Sequence, residues 1–569
     1  MVVCQRISAS IACLAMLLSG CELRPGANQT AEPFELSTVD MTHRLESADT
    51  IKAHMAFLAD DLLEGRAAGS RGEALSALYV ASTYEQLGLD PRGEGDAFIQ
   101  PVPLRSAKLD LESVAFRILK GNQTDTFVNG EDIFVSGSLS ETSIHATVPA
   151  VFVGHGITAP EYGLADYDSV DVRGKLVVVF GGPPAFLPSA EAAHFGSTAV
   201  KQKLAAEAGA IGLIRLWTPA NEAQISFDLL KNYLSGASMT WIGPQGEVKD
   251  SAPEIKLRAT IRGPAADALF ANAKMSAAEV IEAGETGPVK GFPLTTSVFL
   301  ALTTQHDDGL VSGNVAGFLS GSDPLLKDEV VVVTAHYDHV GICKPEGEGD
   351  RICNGALDNA LGTAAMMDVA RRFTVASERP RRSVLFLAVG AEEKGLLGSD
   401  YFATYPTLGE KSIVANINMD GGFPFYDFSD VIAFGAEQST LGEMLAKAVG
   451  PMGLKVGPAP FPQQGIFTRS DQYSFVKKGI PALFLYNGFT NLAGENVGLG
   501  IWNRLLQTSY HQPSDDLSLL EDYSFAGKYA EVFYRVVREV ANADTRPQWY
   551  KDSLFGAIYA PRSEKADAP

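Results

Sequence analysis

Basic residues are in short supply in this chain: 46 Lys+Arg stand against 68 Asp+Glu over 569 residues, a formal net charge of −22. A phosphate backbone or an anionic bilayer needs a basic surface to neutralise it, so nucleic-acid binding and electrostatic membrane docking are excluded. Cysteine is rarer, with five, and the pair Cys343 and Cys353 lacks two further ligands at short spacing, which excludes a zinc ribbon. Long apolar runs are missing too: Ile11 to Leu18 is too short to span a bilayer as a finished helix. The 55 Gly and 30 Pro follow no period, which excludes collagen-like and fibrous repeats, and 9% aromatic residues argue against disorder. What is present is enough apolar material, 46%, to bury real cores, in a length that suggests about two to four domains.

The N-terminal region reads as a targeting segment. Arg6 precedes the short apolar stretch, the pattern of a secretory signal over residues 1–20. Leu18-Ser19-Gly20-Cys21 resembles a bacterial lipobox, which implies acylation of Cys21 as the mature N-terminus. Glu22, rather than Asp, resembles the outer-membrane sorting class. The expected location is therefore the bacterial cell envelope, lipid-anchored on the periplasmic side of the outer membrane, with membrane contact only through the anchor. Residues 21–45, with Pro25, Gly26 and Pro33, read as a tether. In such a compartment a disulfide between Cys343 and Cys353, across a short loop, is open to the chain.

From Ala48 to about Leu87 the apolar spacing predicts two helices, separated by Gly65-Arg66-Ala67-Ala68-Gly69-Ser70-Arg71-Gly72. Residues 110 to 150 look β-rich and irregular. Beyond them Val151-Phe152-Val153, Gly154-His155-Gly156, the buried-strand run Leu176 to Phe180, a helical Lys201 to Ala208 and a strand Ala210 to Leu213 alternate in a way that resembles the protease-associated domain, a small β-rich insert. His155 and His194 fall in it and read as surface or local structure.

After Asn314 the pattern changes. Val315 to Leu319, Val330 to Thr334, Val384 to Val389, Ile413 to Met419 and Ala482 to Leu485 are short continuous apolar runs, while Leu361 to Phe373 and Leu441 to Val449 have helical spacing. Such runs belong to strands covered on both faces, so the fold class is α/β: a mostly parallel sheet with helices on both faces and ligands at the carboxyl ends of its strands.

Metal-binding residue types follow those strand ends. They are His336-Tyr337-Asp338-His339, then Asp358-Asn359 at the opening of a helix, Glu392-Glu393, Asp420, and Tyr510-His511 near the C-terminal end. Two divalent ions roughly 3.5 to 4 Å apart need a bridging carboxylate and about two more protein ligands each. Asp358 suits the bridge, His336 and Asp420 one site, Glu393 and His511 the other. Glu392 is left free to take a proton from water, and Asp338 suits an outer carboxylate that sets the tautomer of His336. His339 is read as an outer residue because five ligands complete the set.

These motifs resemble the di-zinc exopeptidase family of bacterial leucyl aminopeptidases, aminopeptidases S and Y and the glutamate carboxypeptidase II and transferrin-receptor branch. The resemblance implies a phosphorylase/hydrolase-like zinc peptidase core holding two Zn2+, or other divalent cations, on His336, Asp358, Glu393, Asp420 and His511. It also implies Glu392 as general base, Tyr510 as an oxyanion donor, a cis peptide at Asp358-Asn359, and peptides as substrates. The expected division is signal 1–20, tether 21–45, N-terminal part of the peptidase domain 46–145, protease-associated insert 146–290, zinc peptidase domain 291–545 and C-terminal tail 546–569. An aminopeptidase is favoured on family frequency. A carboxypeptidase or other amidohydrolase on the same site, a receptor-like binding protein and a glutaminyl cyclase are the alternatives. Phe423, Phe425, Tyr426 and Phe428 are open between a side-chain pocket and core packing, and Arg469 between a substrate carboxylate and local pairing. The oligomeric state is open.

Overall fold

The computed structural model describes residues 38–569, apart from 225, 229–235, 344–348, 410, 459 and 461–464. The signal, Cys21 and most of the tether lie outside these residues. Helix α1 (Thr38–Leu58) already begins within the expected tether. After the glycine-rich turn comes α2 (Arg71–Gln86), capped by the side chain of Ser70, which accepts the N–H of Glu73.

The sheet then starts with the long β1 (Ile99–Lys120), followed by β2 (Ser143–Phe152), β3 (Leu176–Phe180), β4 (Gly212–Leu216), β5 (Leu257–Ile261) and a 28-residue β6 (Phe292–Leu319). Downstream lie β7 (Glu329–His336), α3 (Leu361–Val375), β8 (Ser383–Val389), α4 (Leu397–Thr404) and β9 (Ser412–Asn418). The chain continues through β10 (Asp430–Phe434), α5 (Leu441–Val449), β11 (Ala482–Asn487), α6 (Gly498–Thr508), α7 (Ser524–Asn542) and α8 (Leu554–Tyr559). No helix among the described residues is long and apolar enough to cross a membrane.

Strand β7 is central, parallel to β8 on one side and to β9 on the other, and β9 is parallel to β11. Strands β6 and β10 flank this group and run antiparallel to β8 and β11. The four valines of β7 show why the sequence reads as one apolar run. Val331 and Val333 pack with α1, α3 and α7, while Val330 and Val332 pack with Phe402 and Phe475 on the opposite face, and all four are fully buried. Polar residues at either set of positions would be desolvated without partners. Because His336 pairs with Val389 and Thr334 with Asn418, the residues just past β7, β8 and β9 emerge at one edge.

Strand β6 joins two cores. Its first part lies between β1 and β2, with Ser297 opposite both Leu119 and Pro149, and its last five residues pair with β8. From β2 the sheet continues in parallel through β3, β4 and β5. The core of this second unit contains Phe152, Val178, Ile214 and Val298 but also Phe116, Ile118 and Ile133, so the expected boundary at 146 falls inside it. The expected tail 546–569 also differs: Trp549 and Phe555 are buried with Phe434 and Phe467, and α8 is part of the packed structure.

Candidate metal centre

Five predicted ligands meet where β7, β8 and β9 end. His336 Nε2 lies 3.3 Å from Asp358 Oδ1 and 3.1 Å from Asp420 Oδ1. His511 Nε2 lies 3.2 Å from both Asp358 Oδ2 and Glu393 Oε2. Asp358 therefore offers one oxygen to each imidazole, the disposition of a bridging carboxylate between two cations. Ligands of a tetrahedral zinc, at 2.0–2.2 Å, stand about 3.3 Å from one another, so these spacings fit. The peptide Asp358-Asn359 is cis. Glu392 is half-buried beside the pair, within reach of both His336 and Glu393.

The surrounding structure holds these side chains in place. Asp515 accepts the N–H groups of Leu357 (2.8 Å) and Asp358 (3.1 Å), joining the bridging loop to the segment that carries His511. Asn359 donates to Met419 O and accepts the N–H of Gly421, on either side of Asp420. Ser470 donates to Asp420 Oδ2. Asp338 departs from expectation. Its carboxylate accepts the N–H groups of Glu392 and Glu393, at 3.0 and 3.3 Å, while His336 Nδ1 stands 3.8 Å from that carboxylate and 3.2 Å from the backbone carbonyl of Asp338. A carbonyl faces the imidazole, and the carboxylate braces the turn that presents Glu392. Ala391, ahead of Glu392, has φ +53 in that turn, and its N–H donates to Glu73 of α2.

Two supporting residues were not found from sequence. Arg66 is fully buried and donates to the carbonyls of Leu58, Tyr337, Asn354 and Gly355, which ties α1 to the loops of His336 and Asp358. Burial lowers its pKa to about 10, which leaves it charged at neutral pH. In the sequence it stands only in a glycine-rich stretch that signals a loop. Asp515 lies four residues after His511 and had the motif itself as its signal. The disulfide Cys343–Cys353 is formed, between the segments bearing His339 and Asp358.

The charges suit divalent cations. Burial pushes the Glu392 carboxyl well above the usual carboxylate range, with Glu393 and Asp420 adding to it through repulsion that His336 partly offsets. Burial opposes the charged form of His511, yet Glu393 and Asp358 raise its pKa to about 10. Crowded carboxylates thus draw protons onto neighbouring imidazoles, and a bound dication takes the place of those protons. Five carboxylates (Asp358, Glu392, Glu393, Asp420 and Asp515) and one guanidinium line the cleft, so two such ions bring it close to neutrality.

The cleft walls are largely apolar, with Phe423, Tyr486, Trp502 and Leu505 among them. Of the four aromatic residues after Asp420, Phe423 lines the cleft, whereas Phe428 is in the main core and Tyr426 donates to Gly488 O. Tyr510 also lines the cleft and stacks on His511, with centroids 3.9 Å apart. Arg469 is an exposed residue of the cleft wall and forms no ion pair among the described residues. His339, expected outside the ligand set, is fully buried with Nδ1 2.9 Å from Glu393 Oε1. His155 and His194 are buried too, at 3% and 7% exposure, which excludes the surface reading; neither lines the cleft.

Comparison with known proteins agrees with this geometry. Residues 314–537 match Peptidase family M28. Aminopeptidase YwaD of Bacillus subtilis (strain 168) is 37% identical over 95 residues, 16% of this chain and 18% of that protein. Leupeptin-inactivating enzyme 1 of Streptomyces exfoliatus is 25% identical over 258 residues, covering 44% and 53%. The chain thus spans less than two thirds of either relative. The solved aminopeptidase from Aneurinibacillus sp. strain AM-1 superposes with a TM-score of 0.50 at 18% identity, covering 89% of this chain and 97% of that one, a likeness of fold.

Proposed function

We propose that this chain, whose residues 314–537 match Peptidase family M28, is a di-zinc exopeptidase that removes residues from the N-terminus of peptides. The observation that carries the reading is the convergence of His336, Asp358, Glu393, Asp420 and His511 at ligand spacing, with Glu392 free beside them. Release from the N-terminus rests on the name of aminopeptidase YwaD.

Two zinc ions held by those five residues would supply Lewis acidity and an acidified water. Glu392 accepts the proton of the attacking water at a carboxylate oxygen and passes it to the leaving amine. Asp338 holds the Glu392–Glu393 backbone at that position. The Tyr510 hydroxyl, at the cleft wall, donates to the oxygen of the scissile carbonyl as charge develops there. Phe423 and Trp502 receive an apolar side chain. The residues around Leu18-Ser19-Gly20-Cys21 support a lipid anchor at the cell envelope, and the second unit, with β2 to β5 and the core they share with β1, supports a protease-associated insert.

The test is metal analysis with a panel of aminoacyl anilides and of N-blocked peptides with free carboxyl ends, with and without chelator. Two zinc per chain and chelator-sensitive release of N-terminal residues are expected. Glu392→Gln should lose roughly 100- to 10,000-fold in turnover while keeping two zinc; full activity of that variant would refute the assignment. Arg469 favours a second reading, a carboxypeptidase, because a cleft-wall guanidinium with no ion-pair partner among the described residues suits a substrate carboxylate. Cleavage of only the N-blocked peptides selects it.

A further inference from the structure

His339 has the geometry of a ligand. Its Nδ1 is 2.9 Å from Glu393 Oε1 and 4.0 Å from Asp358 Oδ2, and its ring meets that of His511 edge-on at 5.3 Å. The ligand atoms of His339, Asp358, Glu393 and His511 all lie within 4.8 Å of one another. These separations bracket the edge of a zinc tetrahedron, about 3.3 Å. The ring has little freedom to turn away. It is fully buried, and the backbone N–H of His339 donates to Arg66 O at 3.2 Å. Against its face lies Gly355, at φ +59, where a Cβ would come within 2.5 Å of the imidazole carbon. Nε2, on the far side, is buried with no hydrogen-bond partner among the described residues, so the polar engagement of the ring is directed at the cluster.

We propose that His339 is a sixth metal ligand, binding through Nδ1 the cation held by Glu393 and His511. The inference rests on the di-metal reading and makes the centre asymmetric. The Glu393 side holds two imidazoles with two carboxylates, and the His336 side one imidazole with two carboxylates. Imidazole-rich sets suit zinc, whereas carboxylate-rich sets also accept harder ions, so the two positions differ in affinity.

The experiment uses the full chain, labelled with 15N-histidine, stripped with chelator and reloaded with 113Cd. One-bond 113Cd–15N coupling is expected at three histidines, with the His339 signal assigned by its loss in His339→Gln. Two bound cadmium ions with coupling only at His336 and His511 would overturn the role of His339 and leave the di-metal centre standing. No bound cadmium would overturn both. Cadmium titration gives the second readout. His339→Gln should bind one ion as the unaltered chain does and the other more than about 100-fold more weakly, beyond the roughly 10- to 100-fold expected for an outer partner. Equal loss at both positions, or a smaller one, contradicts direct ligation.

Discussion

At Asp515 two backbone N–H groups, of Leu357 and Asp358, converge on one carboxylate, and Asp358 is thereby held where its own side chain lies between His336 and His511. An amide in its place has one acceptor oxygen, so Asp515→Asn leaves one buried N–H without a partner, at a cost of about 1–3 kcal/mol. Expected is a zinc affinity lower by roughly 10- to 100-fold with the fold retained, measured by competition with a chromophoric chelator. Unchanged affinity would show that the bridge does not depend on Asp515. The expected ligands His336, Asp358, Glu393 and Asp420 were legible because each lies at a strand end or at the opening of a helix, whereas His511 follows a helix and was found from its motif alone. The direction of a side chain was less legible. Asp338 was read as a partner of the imidazole, but its carboxylate turns to the Glu392–Glu393 backbone, 54 residues away in the chain. Nothing in the His336-Tyr337-Asp338 segment encodes where that turn comes to lie.

Strands and helices around the site follow from periodicity and continuous apolar runs: the five expected strands between Val315 and Leu485 appear, whereas β10 (Asp430–Phe434) and α4 (Leu397–Thr404) were not read from the sequence. Nor was the C-terminal segment. Residues 554–559 form a helix of six residues, too short to show a period, and the pair Trp549-Tyr550 stands between polar residues. In the fold that tryptophan donates from its ring N–H to Gly479 O at 2.8 Å and fills a cluster with Phe434, Phe467 and Phe555. Trp549→Ala should therefore cost about 3–5 kcal/mol, read as a lower urea midpoint. A midpoint equal to that of the unaltered chain would mean that the segment detaches in solution.

Across the molecule, two buried histidines outside the metal centre make stability depend on pH. His155 and His194 are both held near 4 by burial, against an ordinary 6.5. Between those values the unfolded chain carries protons on both rings and the folded chain does not. At these two rings unfolding thus takes up protons, and their contribution to stability falls as pH drops from 6.5 to 4. The melting temperature of the unaltered chain should decline across that window relative to that of a His155→Gln, His194→Gln variant, so that the two differ in slope. An identical slope would place the acid sensitivity elsewhere. His194 lies in the stretch before β4 yet sets its ring against Tyr473 and Tyr559, so its environment is made jointly by segments far apart in the chain.

The short motifs that carry metal-binding residue types, the α/β class and the doubly covered strands are each written in residues within a few positions of one another, and a reading of the chain reaches them. The clamp of Arg66 on Tyr337 and Asn354, the approach of His339 to Glu393 and the extent of the second core come from segments tens to hundreds of residues apart. Their positions depend on how β1 and β6 draw both units into one sheet. A contact at that range has no local spacing to announce it, because it is fixed by packing rather than by the period of any single element.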